Sequence, residues 1–341
     1  MGRIRFADYL KEYLEVNHIS NKEFASRINI TPKHLIDILS KKSELSAQII
    51  DSISFVTGIP IDYIYRMESN FHIENEIDHY LKKEHLSEKE YLNKFDYKTL
   101  IKKTWIRFTD IYEPIEIIKD ILKYLRVSSP EQLNDLESHL FYKSKNDRKE
   151  LLLLWLEKCY RETLTQDVKD YTKDNILYLV RYIHEKANQN IFDEQELVKV
   201  FNENGIALVI QEDLPGSKIR GAFKVHRNMP AIYITYKHKR IADIYFALLH
   251  ELAHCKSDFN KARSMSLISF EDERDIEIKA DEQAFQWMVE NKYYHDFVVK
   301  KEYKIDDEIK YPKSFIVYRL AHDHLLKYSS PLYQQYNRLL K

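Results

Sequence analysis

The chain has 341 residues, a net charge of −1 and 44% hydrophobic residues, which suits two or three cored domains and excludes a disordered chain. Its five glycines (Gly2, Gly58, Gly205, Gly216 and Gly221) build neither a dinucleotide-binding nor a P-loop pattern, and its two cysteines, Cys159 and Cys255, exclude a disulfide framework and a four-cysteine zinc site. The first residues lack an apolar signal core and no apolar stretch approaches the ~20 residues of a bilayer span, so a cytoplasmic protein with no membrane partner is expected.

Residues 1–70 read as a run of short helices. Phe6, Leu10 and Leu14 repeat every four residues on one face. Ser20 and Glu23 have the spacing of a capping box, and Asn29-Ile30 suits a tight corner because Asn tolerates the left-handed conformation. Thr31 caps the next helix, Pro32 occupies its first turn, and Leu35, Ile38 and Leu39 face inward. A further helix over about 46–57 stops at Gly58.

Residues 71–190 keep a helical period with few turn residues and read as a helical connector, with a polar loop at 143–150. From 191 the texture changes. A helix over about 193–203 ends at Asn204-Gly205, and the β-branched run 206–210 reads as a strand. Residues 219–226 and 231–237 form an expected antiparallel pair around the turn 227–230. Three helices follow, over about 240–257, 271–291 and 312–327. The expected architecture is therefore mostly α with a C-terminal α+β domain: a helical bundle (1–70), a connector (71–190) and a domain with a small antiparallel sheet (191–341).

The segment His250-Glu251-Leu252-Ala253-His254 carries the chemistry. Two imidazoles four residues apart share one helix face, a spacing that lets both bind one Zn²⁺. Glu251 is placed to take a proton from a water activated by that metal. A catalytic zinc takes a third protein ligand, and Glu277, 23 residues beyond His254 on the next helix, is the candidate. Asp281 lies one turn further on and can accept the second ring N–H of a ligand histidine. Ala280 and Ala284 let this helix approach the first closely. Cys255 points about 100° away and reads as a buried small side chain. Tyr233, Tyr236, His226, His322 and His324 each remain open as stabilisers of an oxyanion.

The segments RIADIYFALLHELAH and EIKADEQAF together resemble the ImmA/IrrE-type metallopeptidases, gluzincin-like proteins with HExxH and a downstream Glu. Glu277, Ala280, Asp281 and Ala284 match that pattern, while Gln283 stands where an apolar residue is usual. The strand pair and the run 315–321 suit the same zincin-like layout. The stretch from DYLKEYL through IDYIYRMESNF resembles the XRE-type helix-turn-helix of HigA-like antitoxins. The resemblance implies a zinc-dependent, site-specific endopeptidase that cleaves a partner repressor or antitoxin-like protein. The rival it also implies is a DNA-binding antitoxin or repressor whose zincin-like domain binds a cognate toxin, or senses a signal, without turnover.

A helix-turn-helix implies double-stranded DNA as a partner and a homodimer on two half-sites. Residues 1–70 carry nine basic and nine acidic side chains, so bulk charge gives no footprint for DNA. The local candidates are Thr31, Lys33 and His34 at the start of the second helix of the motif, Asp37 within it as a possible acceptor from cytosine, and Lys41 and Lys42 just beyond it.

Overall fold

The computed structural model describes residues 5–106, 113–138, 148–217, 219–236, 240–264, 273–299, 305 and 309–340. They are mostly helical, with one small sheet in the C-terminal half. Two compact units emerge: Met1–Asn93 with Phe108–Leu133, and Lys94–Arg107 with Asn134–Lys341. The stretch 71–190 is thus divided between them. Most of the expected loop at 143–150 lies outside the described residues. Among the described residues no helix is long and apolar enough to cross a membrane.

In the first unit, α1 (Phe6–Val16) follows the apolar stripe, α2 (Asn21–Arg27) and α3 (Pro32–Leu39) begin at the expected caps, and α4 (Ala47–Thr57) ends at Gly58. Ser20, Thr31 and Ser46 each accept a backbone N–H in the first turn of the helix they precede. Glu23 gives its carboxylate to Arg27 (2.5 Å). Asn29 takes the left-handed corner (φ 56°), and Gly58 (φ 72°) closes α4. Phe6, Leu10, Phe24, Leu35, Ile38 and Ile53 form the centre of the core. The helix α5 (Ile61–Lys83) runs without a break past residue 70. A buried ion pair holds it to α1: Arg5 Nε donates to Glu68 Oε2 (3.0 Å), and the Phe6 N–H donates to Glu68 Oε1 (3.1 Å). Next come α6 (Glu88–Asn93), α7 (Tyr97–Lys102), α8 (Pro114–Leu125) and α9 (Pro130–Ser138), of which α7 belongs to the second unit.

The second unit is built on a sheet sandwiched by helices. After α10 (Lys149–Thr163), α11 (Asn175–Gln189) and α12 (Glu194–Glu203) come β1 (Ala207–Ile210), β2 (Gly221–His226) and β3 (Met229–Ile234). The strand order is β1-β3-β2, with β2 antiparallel and β1 parallel to β3. The sheet is therefore mixed rather than antiparallel. The chain crosses from β1 to the far edge, and the β2–β3 hairpin then returns β3 into the gap beside β1.

The hairpin is also tighter than the spacing of Arg227 and Pro230 implies. Arg227 adopts φ 62°, the register pairs His226 with Met229, and Pro230 lies inside β3. Pro230 is tolerated because pairing with β1 begins only at Ala231. Tyr233 meets Trp155 of α10 edge-on on one face, while Ile232 and Ile234 join the core formed with the next helix on the other.

That next helix is α13 (Ile241–Ser257), followed by α14 (Phe259–Ser264), α15 (Glu273–Met288), α16 (Asn291–Val299), α17 (Lys313–His322) and α18 (Pro331–Tyr336). Among the described residues five more helices thus follow α13, against two expected. The helix expected over 312–327 stops at His322, because the chain turns through His324 in the left-handed region (φ 59°).

Candidate metal centre

The site begins with the way α13 starts. Arg240 offers its first turn no side-chain cap. Asn337, buried and 95 residues away, supplies one: its Oδ1 accepts the Ala242 N–H (2.9 Å), and the Arg338 carbonyl accepts the Ile241 N–H (3.2 Å). The Asn337 amide nitrogen donates to Asp243 Oδ2 (3.0 Å) and to the Tyr333 hydroxyl (2.8 Å). Every polar atom of this side chain is therefore committed to holding α13.

Two turns on, His250 and His254 bring their Nε2 atoms within 3.1 Å of each other. The two carboxylate oxygens of Glu277, on α15, lie 3.4 Å from His250 Nε2 and 3.4 Å from His254 Nε2 respectively. With one donor atom taken from each side chain, the three lie within 4.8 Å of one another, close enough to hold a metal ion. Among the described residues this is the one group of three such side chains that could hold a metal. The close approach of α15 rests on Ala280 and Ala284, both buried against its partner helix.

The other ring nitrogens are held as well. His250 Nδ1 bonds Asp281 Oδ1 (2.8 Å), and His254 Nδ1 bonds Asp258 Oδ2 (2.9 Å). A carboxylate on Nδ1 keeps a proton there and leaves the Nε2 lone pair for a metal. Asp258 escaped the sequence reading, although its spacing of four from His254 places it on the same helix face.

Glu251 is buried between α13 and the sheet. Gly221 explains how it fits: a Cβ there would lie 2.5 Å from Glu251 Oε1 and 3.1 Å from the Tyr233 carbonyl oxygen. A glycine inside a strand signals such a close approach, and this signal too was passed over. Burial raises the Glu251 carboxyl to about 7, against the pull of the two histidines. Burial works to lower both imidazoles. For His250, Asp281 and Glu277 outweigh it and raise the ring to about 10; for His254, Asp258 and Glu277 raise it to about 9. Glu277, despite its burial, is held well below the usual carboxylate range by the same two rings.

One edge of the sheet borders this centre. The Thr235 N–H donates to the Arg220 carbonyl (2.9 Å), making these residues a hydrogen-bonded pair. Alternation then turns the backbone groups of Gly221, Phe223 and Val225 away from β3. β3 is flanked by strands on both sides, whereas β2 has no strand on its outer side among the described residues.

The remaining candidates scatter. Tyr233 and His226 bond each other (2.6 Å) on the α10 side of the sheet, away from α13. Tyr236 bonds Glu194. His322 is linked to the centre through ring contacts, with Phe285 at 4.4 Å, Phe285 to Phe246 at 4.7 Å and Phe246 to His250 at 6.2 Å. His324 lies in the turn after α17, and Cys255 is buried.

In the first unit, Thr31 caps α3, Lys33 and Lys42 are exposed, and His34 and Asp37 are half-buried. The Asp37 carbonyl accepts the Lys42 and Ser43 N–H groups. Lys41 takes φ 63° and gives its ammonium to Asp8 (2.8 Å).

No family model, curated protein or solved structure matches the chain. The site therefore has to be read from its own geometry.

Proposed function

We propose that the protein is a zinc-dependent endopeptidase joined to a DNA-binding helix-turn-helix, a cytoplasmic regulator that cleaves a partner repressor or antitoxin-like protein. One observation carries the reading: the convergence of His250, His254 and Glu277, with Glu251 buried beside them against Gly221 of β2. His250, His254 and Glu277 would hold the metal. Bound zinc lowers the pKa of water towards neutrality and polarises a carbonyl. Glu251, with its carboxyl near 7, takes the proton of the attacking water and passes it to the leaving amine. Asp281 and Asp258 hold the rings in the orientation that binding needs. The outward backbone groups of Gly221 and Phe223 receive an extended peptide by strand addition.

The deciding experiment compares Glu251→Gln with His254→Ala. Glu251→Gln should keep about one zinc per chain and lose about 10²–10⁴-fold in cleavage rate, whereas His254→Ala should lose the metal. If regulation persists unchanged in Glu251→Gln and no fragment depends on Glu251, the antitoxin-like binder replaces the enzyme.

The α3 surface bearing Lys33, with Lys42 beyond it, is the proposed DNA-contacting part, acting in a homodimer. Replacing Lys33 and Lys42 together by Ala should weaken operator binding and reduce its salt slope by about two.

A further inference from the structure

A cleft of about 480 Å³ opens on the first unit, between the C-terminal half of α1, the start of α2 and the second half of α3. It is far larger than an ion needs and falls within the ~300–1,000 Å³ of small-molecule sites.

Local rules build its apolar lining. α1 ends at a left-handed residue, His18 (φ 54°). The Ile19 N–H donates to the Leu14 carbonyl (2.9 Å) and the His18 N–H to the Glu15 carbonyl (3.2 Å). This closure of a helix end commonly brings the residue after the left-handed one back onto the last turn, and both Leu14 and Ile19 line the cleft. Leu14 is buried in the core of the unit, and Ile19 and Leu39 pack against that core half-buried. Ile36 adds a fourth branched side chain, 50% of it open to water.

The charged lining comes from α1. Lys11 and Glu15 stand one turn apart, and neither side chain has an ion pair or hydrogen bond among the described residues. Lys ahead of Glu is the weaker order for such a pair. Glu15 also lies in the last turn, at the negative end of the helix dipole, with no basic residue in that turn. A cation from outside relieves that carboxylate. On the α2 side, Ser20 uses its oxygen to accept the Glu23 N–H, which leaves its hydroxyl proton to donate. An ammonium, a carboxylate and an aliphatic surface thus meet in one cleft, the complement of a zwitterion with an apolar body.

We propose that this cleft binds an apolar zwitterion, either a free amino acid or a dipeptide, with its carboxylate on Lys11, its ammonium on Glu15 and its side chain against Leu14, Ile19, Ile36 and Leu39. The spacing limits the ligand's length. Side chains at i and i+4 leave a helix about 5–6 Å apart, which is about two residues of extended chain. The inference goes beyond the peptidase reading and does not rest on it. α3 supplies Ile36 and Leu39 and also carries Lys33, so the ligand rests on the helix proposed to meet DNA.

The test titrates zinc-loaded full-length Glu251→Gln, in which no peptide is cut, with leucine and leucyl-leucine by calorimetry. Each ligand is repeated as its N-acetyl and its C-terminal amide form, and glycine and glycylglycine serve as apolar controls. Capping either end of the ligand should weaken binding about three- to tenfold. Loss of the side chains should weaken it at least about tenfold. Lys11→Gln should remove the penalty for amidation alone, and Glu15→Gln the penalty for acetylation alone. Both residues are exposed, so neither change opens the core. Adding His254→Ala, which empties the metal centre, should leave binding intact. Tighter binding of leucine assigns the cleft to an amino acid, and tighter binding of leucyl-leucine to a dipeptide. The proposal is overturned if neither ligand saturates the protein below about 10 mM, if glycine matches leucine, if the penalties survive Lys11→Gln and Glu15→Gln, or if binding is lost with His254→Ala.

Discussion

Loading the metal must displace protons. His250 and His254 are raised to about 10 and about 9, because burial is outweighed by the Asp281, Asp258 and Glu277 carboxylates. A histidine binds metal only as the neutral ring, so below these values each bound ion competes with ring protons. The two Nε2 atoms face each other at 3.1 Å, and two charged rings repel, so the second proton leaves more easily than the first. One to two protons per zinc are therefore expected at pH 7, and affinity should rise about ten- to hundredfold per pH unit between pH 6 and 8.

Stability carries the opposite sign. A folded value raised above 6.5 stabilises the metal-free protein fully below about pH 6.5, and this contribution is lost as pH climbs through 9 to 10. The metal-free melting temperature should therefore fall on the alkaline side, and the zinc-loaded one should not follow it. Titration calorimetry in buffers of different ionisation enthalpy counts the protons, and chelator competition gives the pH slope. Glu251, near 7, titrates in the same range, so the measurement is repeated in Glu251→Gln, where the count should persist. No proton release, together with a flat affinity from pH 6 to 8, would refute the idea that the carboxylates hold the rings charged.

Three further outcomes are expected. Gly221→Ala drives a methyl to 2.5 Å from Glu251 Oε1, so the carboxylate must shift by nearly 1 Å; a shift of that size costs about 10²-fold in rate, with zinc content unchanged by elemental analysis. Glu68→Ala leaves Arg5 buried without its carboxylate and should cost about 3–5 kcal/mol in urea unfolding of the first unit, while zinc binding by the second is retained. Asn337→Ala removes the cap on Ala242 and should destabilise the second unit by about 1–2 kcal/mol, seen as a lower melting temperature of the metal-free protein.

Local signals in the sequence account for much of this. The caps at Ser20 and Thr31, the corner at Asn29 and the stop at Gly58 each act within a few residues, and each was legible. His250, Glu251, His254 and Glu277 could be placed because a helical period fixes which side chains share a face, and Asp281 followed from the same rule. The sheet could not be read in this way. Strand order depends on where the chain returns, and nothing in 206–234 marks β3 as central. The Lys41 charge looked available from sequence, yet Asp8 holds it through a contact that arises only on folding, and Glu68 holds Arg5 in the same way. Asn337 belongs to the same class, since no local rule links it to a helix 95 residues earlier.

That last contact sets an order of events during synthesis. His254 leaves the ribosome 83 residues before Asn337, a delay of roughly 4–17 s at ~5–20 residues per second. For that interval the nascent helix carries its two histidines and its buried acid with an open first turn, and Glu277 arrives part-way through. The residue that closes the helix is made 83 residues after the second histidine, and a chain interrupted between the two carries the motif without the part that holds its helix in place.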